Sequence, residues 1–223
     1  MAQWRTPLET VRRTVNRDRC TIFDVGAHVG DMTDAYRIMF EHPTIHAFEP
    51  EPEAYAELER RFGAVESVTL NRLALADHRG TASLHQNSRS GTSSLLALNA
   101  ESWWARQLIL SERSRVEVPL ETIDGYCADR GIDRIDLLKL DVQGGEPECL
   151  QGALGMLDRQ AIRVIQAEIL PHRIYQRRTS FFDIETLLRP RGYRLFGLID
   201  AIGNENGELL NVDALYVLES EYP

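Results

Sequence analysis

The sequence predicts an α/β fold: a mostly parallel sheet of about seven strands, the last antiparallel, with helices on both faces. Three observations predict it. Short apolar runs alternate with stretches whose apolar residues recur every three or four positions. The first run, Cys20-Thr21-Ile22-Phe23-Asp24-Val25-Gly26, ends in a glycine turn that opens a helical stretch. The last two runs are joined only by the polar turn Gly203-Asn204-Glu205-Asn206-Gly207, too short for a crossover helix, so they should pair antiparallel. Together these describe a doubly wound, Rossmann-like sheet.

Each element has its own signal. Residues 5–17 place Leu8, Val11 and Val15 on one helical face. Strand 20–26 is followed by a helix over 31–40 and a short strand over 44–49. In 52–62, Tyr55, Leu58 and Phe62 line one face, with Pro52 in the first turn and Gly63 at the stop. A third strand is expected over 68–75. Residues 81–121 break the rhythm with a Ser/Gly-rich stretch, the pair Trp103-Trp104 and the strand-like Val116-Glu117-Val118, and are expected to form an edge hairpin and a mobile cover. The alternation resumes with strand 135–142, a helix beginning at Glu146-Pro147, strand 162–169 and a helix over 180–188. Ser180 and Asp183 stand at capping-box spacing there. Strands 193–199 and 214–219 close the chain. The expected organisation is an N-terminal helix (1–18) and one domain (19–223) with the cover inserted near 81–121.

Composition narrows the function. The 223 residues carry 25 basic and 34 acidic side chains, a net charge of −9, and 43% are hydrophobic, which suits one globular domain with a sizeable core. An acidic chain lacks the basic face that replaces phosphate counterions, so no nucleic-acid partner is expected. No apolar run approaches the ~20 residues of a membrane span, and residues 1–5 lead into a polar stretch without a signal-peptide core. Cys20, Cys127 and Cys149 are odd in number and far apart, which fits a reducing cytoplasm and argues against disulfide or zinc frameworks. Of the 25 basic residues 24 are Arg, and Lys139 is the only lysine. An arginine-biased genome accounts for the bias but not for the one position that kept Lys.

In sheets of this kind, ligands bind beyond the carboxyl ends of the strands. The first such end reads Asp24-Val25-Gly26-Ala27-His28-Val29-Gly30-Asp31, where two glycines let a ligand lie against bare backbone at a helix N-terminus. The second reads Phe48-Glu49-Pro50, and Glu49 falls where an acidic residue accepts hydrogen bonds from ribose hydroxyls. The glycines are more widely spaced than in the G-x-G-x-x-G pyrophosphate fingerprint. That favours a smaller group, such as an amino-acid end, over a nicotinamide dinucleotide.

The turn Asp-x-Gly-x-x-x-Gly with the later Glu resembles the first two motifs of class I S-adenosylmethionine-dependent methyltransferases. A more specific match lies downstream. Leu120-Glu121-Thr122-Ile123-Asp124 precedes Ile135-Asp136-Leu137-Leu138-Lys139-Leu140-Asp141-Val142-Gln143-Gly144-Gly145-Glu146. With Ala74-Leu75-Ala76-Asp77, Gly91-Thr92-Ser93-Ser94-Leu95 and Ala167-Glu168, this resembles the FkbM family of methyltransferases over nearly the whole chain, about 21–219. Gln143 stands where that family usually has Glu, and Glu121 where it often has Leu. The resemblance implies S-adenosylmethionine as cofactor and S-adenosylhomocysteine as product. Asp24, Gly26 and Gly30 would hold the methionine end and Glu49 the ribose diol. Ala74 would border the adenine, and Asp141 would meet the cofactor ammonium or the acceptor. His28, inside the turn, is expected to shape it.

For transfer itself, an acceptor hydroxyl must be aligned and must lose a proton. His172, three residues past the fifth strand end, is the first candidate base, since neutral imidazole is available near pH 7. Lys139 and Asp141 share a strand face, and such a buried Lys must be paired; Glu168 is the expected partner. Asp141 and Glu168 could instead hold Mg²⁺, although no third ligand lies nearby in sequence and metal-independent transfer is favoured. Trp103 and Trp104 could face a sugar or ring, and Arg173, Arg177, Arg178 and Tyr175 form a local basic patch. The expected acceptor is a small molecule bearing a hydroxyl, a sugar, polyketide or related metabolite, with no membrane partner. Rival readings are a nicotinamide-dependent oxidoreductase, which would need a hydride-site pair such as Tyr/Lys, and a non-catalytic nucleotide-binding module.

Overall fold

The computed structural model describes residues 6–177 and 180–222. In chain order the elements are α1 (Pro7–Val15), β1 (Arg19–Val25), α2 (Asp31–Met39), β2 (His42–Phe48), α3 (Pro52–Phe62), β3 (Val68–Asn71), β4 (Ala74–Leu75), β5 (Gly80–Asn87), α4 (Trp103–Gln107), β6 (Glu112–Glu121), α5 (Ile123–Arg130), β7 (Ile135–Leu140), α6 (Glu146–Gln151), α7 (Leu154–Asp158), β8 (Ile162–Ile169), α8 (Phe181–Leu188), β9 (Tyr193–Gly203) and β10 (Leu209–Leu218). The main sheet has the order β3-β2-β1-β7-β8-β10-β9. All its neighbouring pairs are parallel except those made by β10, which runs against both β8 and β9. This is the doubly wound, Rossmann-like sheet expected from the alternating pattern.

Strand alternation sends successive side chains to opposite faces, and each face builds its own core. Phe23 and Val25 of β1 face the layer of α5 to α8, whereas Ile22 faces α1 to α3. Local chemistry sets the helix ends. Thr6 caps α1 and Ser180 caps α8, each in a complete capping box.

Two expectations change in detail. The strand expected over 68–75 divides at residues 72 and 73. Asn71, at the end of β3, turns its side-chain amide onto the carbonyls of Ala47 and Thr69, both at 3.2 Å. The chain then crosses to a second sheet, β4-β6-β5, in which Ala74 pairs with Leu120. The insertion is accordingly no edge of the main sheet: β5 and β6 pair antiparallel inside that second sheet. Residues 88–110 lie over the sheet mouth and are tied down. Asn99 donates its N–H to Ile174 and Gln176 donates to Ala97, both at 2.9 Å. Helix α5 was not foreseen. It is capped by Thr122 and pinned by Tyr126, whose hydroxyl donates to Asn71 at 3.0 Å and meets His46 Nδ1 at 2.9 Å.

Candidate active site

The strand order reverses between β1 and β7, and a cavity of about 340 Å³ opens there at the carboxyl ends of the strands. One part is walled by Gly26, His28, Glu49, Leu73, Ala74 and Leu75. The other is walled by Ser94, Asp141, Gln143, Glu148, Glu168 and Arg177. Because β10 runs the opposite way, its beginning also reaches this mouth, and Asn211 donates to Glu168 at 2.9 Å.

The turn after β1 is wound tightly. Gly26, His28 and Gly30 all have left-handed φ, at +75°, +51° and +90°. A Cβ at Gly26 would overlap the backbone carbonyl of Asp141, so only glycine lets the turn pass the end of β7. Gly30 serves a different purpose from the one expected of it. A Cβ there would strike Leu58 and Phe62, so it lets α2 pack on α3 and does not wall the cavity. The left-handed bend at His28 aims its N–H at Glu49 Oε2, at 2.8 Å, while the N–H of Glu51 reaches Oε1 at 2.8 Å. Glu49 is only 7% exposed, and burial pushes its carboxyl up to about 7 against the pull of those two N–H groups. Each oxygen keeps acceptor capacity beyond the backbone bond it already receives, as a ribose diol would require.

Asp24 is fully buried behind the turn and does not line the cavity. It accepts from Thr33 Oγ1 at 2.6 Å and pairs with Lys139 Nζ at 3.2 Å. Lys139, 5% exposed, also lies 3.4 Å from Asp141 and donates to the carbonyl of Gly26 at 3.1 Å. The expected Lys139–Glu168 pair is therefore replaced by Lys139 with Asp24 and Asp141. The reason is register: Asp24 of β1 stands directly opposite Lys139 of β7. The lysine keeps its charge, because the attraction of these carboxylates outweighs the cost of burial.

Gln143 occupies a left-handed position, φ +59°, and its side chain bridges the site. Its Nε2 donates to Asp141 at 3.0 Å and to Glu168 at 2.9 Å, and its Oε1 faces the Tyr175 hydroxyl at 3.0 Å. Sequence reasoning noted Gln143 only as a departure; its paired amide donors explain why an amide is accommodated between two carboxylates. Tyr175 also donates to the Thr92 carbonyl at 2.7 Å, and Ser94 Oγ donates to the Gln143 carbonyl at 2.9 Å, so the cover is stitched to the site. His28 Nε2 lies 2.6 Å from Ser90 Oγ, a third such tie.

His172, the expected base, lies away from the cavity. Its Nε2 donates to the Leu209 carbonyl at 2.7 Å, and its ring lies 4.8 Å from that of Trp104 in the packing beneath the cover. Trp103 is exposed and Trp104 packs with Leu170, Ile174 and Tyr175, so neither faces the cavity. Of the basic patch, Arg177 reaches the site and pairs with Glu148, Arg173 donates to the Gln176 carbonyl, and Arg178 lies outside the described residues. Among the described residues no three His, Cys, Asp or Glu side chains are grouped to hold a metal ion, and no helix is long and apolar enough to cross a membrane.

Known proteins share this fold. Solved structures with the same fold include the fibrillarin pre-rRNA processing protein of Methanococcus jannaschii (TM-score 0.51, 12% identity, 92% of this chain and 69% of that one). An rRNA methylase from Streptococcus thermophilus also superposes (TM-score 0.50, 11% identity, 97% and 99%). By sequence, the chain is 26% identical over 169 residues to the 2-O-methyltransferase NoeI of Sinorhizobium fredii, covering 70% of this chain and 65% of that protein. It is 29% identical over 173 residues to the 31-O-demethyl-FK506 methyltransferase FkbM of Streptomyces tacrolimicus, covering 66% and 64%. The matches thus span just under two thirds of these relatives' length. Residues 24–195 match the methyltransferase FkbM domain, from the buried Asp24 through the Lys139–Glu146 block and into β9, and the chain belongs to that family.

Proposed function

We propose that the protein is an S-adenosylmethionine-dependent O-methyltransferase that methylates a hydroxyl of a small metabolite, such as a sugar or polyketide, in the cytoplasm. Glu49 carries the reading: a carboxylate buried in the cavity wall, held by two backbone N–H groups, with free acceptor capacity. It would grip the ribose diol. Leu73, Ala74 and Leu75 offer an apolar wall to the adenine, and Gly26 with Asp141 lies where the methionine end would reach. Asp24, Lys139 and Gly30 act from behind, by holding the turn in shape. The cofactor supplies an electrophilic methyl group, and the wall from Gln143 to Arg177 offers space for the acceptor.

Both curated relatives are named for O-methylation, which supports the same chemistry here. A cavity of only about 340 Å³ and a net charge of −9 favour a small acceptor over a nucleic acid. Asp141 and Glu168 already engage Lys139, Gln143 and Asn211, which supports transfer without a metal. Calorimetry with S-adenosylhomocysteine tests the reading. Glu49→Ala removes charge-assisted hydrogen bonds of roughly 1.5–3 kcal/mol, so affinity should fall by about ten- to a hundredfold. Unchanged affinity, or tighter binding of NAD than of S-adenosylhomocysteine, would count against it.

A further inference from the structure

The far wall of the cavity concentrates carboxylates. Glu168, 6% exposed, receives Gln143 Nε2 on Oε2 and Asn211 Nδ2 on Oε1. The same Gln143 nitrogen holds Asp141, so one amide bridges a carboxylate just past the end of β7 and one on β8. Asp213 of β10 stands opposite Glu168 in the ladder. Other charged or titratable groups face this wall from each side. Lys139 of β7 stands behind it against Asp141, Glu146 and Glu148 come from α6, and Tyr175 and Arg177 from the segment after β8. Among the described residues, the two cations here are already engaged: Lys139 with Asp24, Asp141 and the Gly26 carbonyl, and Arg177 with Glu148. Among the described residues, negative charge is in excess at the point where the cavity leaves room for an acceptor.

We propose that Glu168 receives the proton of the acceptor hydroxyl, and that Gln143 holds it beside Asp141 so that Glu168 sheds its proton when a cation enters the cavity. This rests on the methyl-donor reading above. Glu168 lies well above the usual carboxylate range, chiefly through burial and then through Asp141 and Glu146, and Asp213 is raised to about 6. Burial and the neighbouring negative charges therefore favour a proton on Glu168. A sulfonium beside Glu168 favours its ionised form and expels that proton. The base is then ready only when the donor is loaded. In the transfer, the acceptor oxygen forms the new C–O bond and the C–S bond breaks with its electron pair left on sulfur. The hydroxyl proton passes to the Glu168 carboxylate and later to solvent.

The sulfonium distinguishes S-adenosylmethionine from its product, while both carry the same amino-acid and nucleoside ends. Calorimetry of the intact protein near pH 7, in phosphate and in Tris, counts protons released with each ligand. S-adenosylmethionine should release up to about one proton more than S-adenosylhomocysteine. Glu168→Gln should abolish the difference while S-adenosylhomocysteine still binds. Gln143→Leu, which removes the amide donors that favour ionisation, should move the midpoint of that extra release up by about one pH unit. Equal release with the two ligands, or an unchanged difference in Glu168→Gln, would overturn the proposal. Failure of both ligands to bind would overturn the donor reading beneath it, a distinguishable result.

Discussion

Lys139, the only lysine of the chain, shows how one residue ties the turn to the sheet. Its ammonium joins Asp24, Asp141 and the Gly26 carbonyl, and so links the interior of β1, the end of β7 and the turn between β1 and α2. Lys139→Met would leave Asp24 buried beside Asp141 with no cation. Removing one partner of a buried pair costs about 3–5 kcal/mol, a loss that urea denaturation at pH 8 should register. Glu49 makes a second prediction at this scale. Its folded value is about 7 against an ordinary 4.5, so its ionisation opposes folding. The stabilising contribution is complete below about pH 4.5 and is lost as pH rises through 7, a change of about 3 kcal/mol. Ribose hydroxyls need the ionised form. The rise in Tm produced by S-adenosylhomocysteine should therefore be larger at pH 8 than at pH 6, and Glu49→Gln should flatten that difference. At this scale the sequence placed Lys139 and Asp141 on one face because alternation is local. It assigned Lys139 to Glu168 because strand order, which sets Asp24 opposite Lys139, is not local. His172 was drawn toward the site for the same reason, since packing against Trp104 is a tertiary event that no periodicity records.

At the scale of elements, the strands and helices read most clearly where apolar spacing and end signals agree. The strand over 162–169 and the capped helix after Ser180 stand where they were expected. Helix α5 carries a signal that was passed over: Ile123, Tyr126 and Cys127 recur at helical spacing and are all buried. Thr122 caps it without the partner Glu or Gln of a capping box, because Gly125 stands at that position. The division between β3 and β4 falls at the polar pair Asn71-Arg72, which interrupts the apolar run of 68–75 too briefly to end a strand by spacing alone; the second sheet distinguishes its two halves. Two glycines test how turns shape the site. Gly131 ends α5 with φ +64° and open space where a Cβ would go, so Gly131→Ala should cost only about 1–2 kcal/mol of left-handed strain. Gly26 has the same handedness, but its added Cβ would overlap the Asp141 backbone, which cannot swing away as a side chain can. Gly26→Ala should lose roughly 3 kcal/mol or more and bind S-adenosylhomocysteine poorly, as denaturation and calorimetry would report.

For the whole molecule, the site is a seam between two sheets and a cover. The turn after β1 belongs to the main sheet, the apolar wall at Ala74 to the second, and Ser94 to the cover. Hydrogen bonds close the seam, among them His28 with Ser90, Tyr175 with Thr92, and Ser94 with Gln143. The cover's own packing is modest, a small cluster around Leu170, Ile174 and Tyr175, whereas the main sheet is buried on both faces. Local opening should therefore be easier in the cover than in the sheet. A ligand in the seam touches all three parts at once and stabilises each against opening in proportion to its occupancy. Hydrogen exchange with and without S-adenosylhomocysteine should show added protection at 26–30, 73–76, 93–96 and 141–145. Protection in α1 should be unchanged, because α1 sits at the far end of the strands, where Arg163 near the start of β8 donates to the Val15 carbonyl. Added protection confined to 26–30 would mean that the ligand meets the turn alone and that the second sheet and cover take no part in holding it.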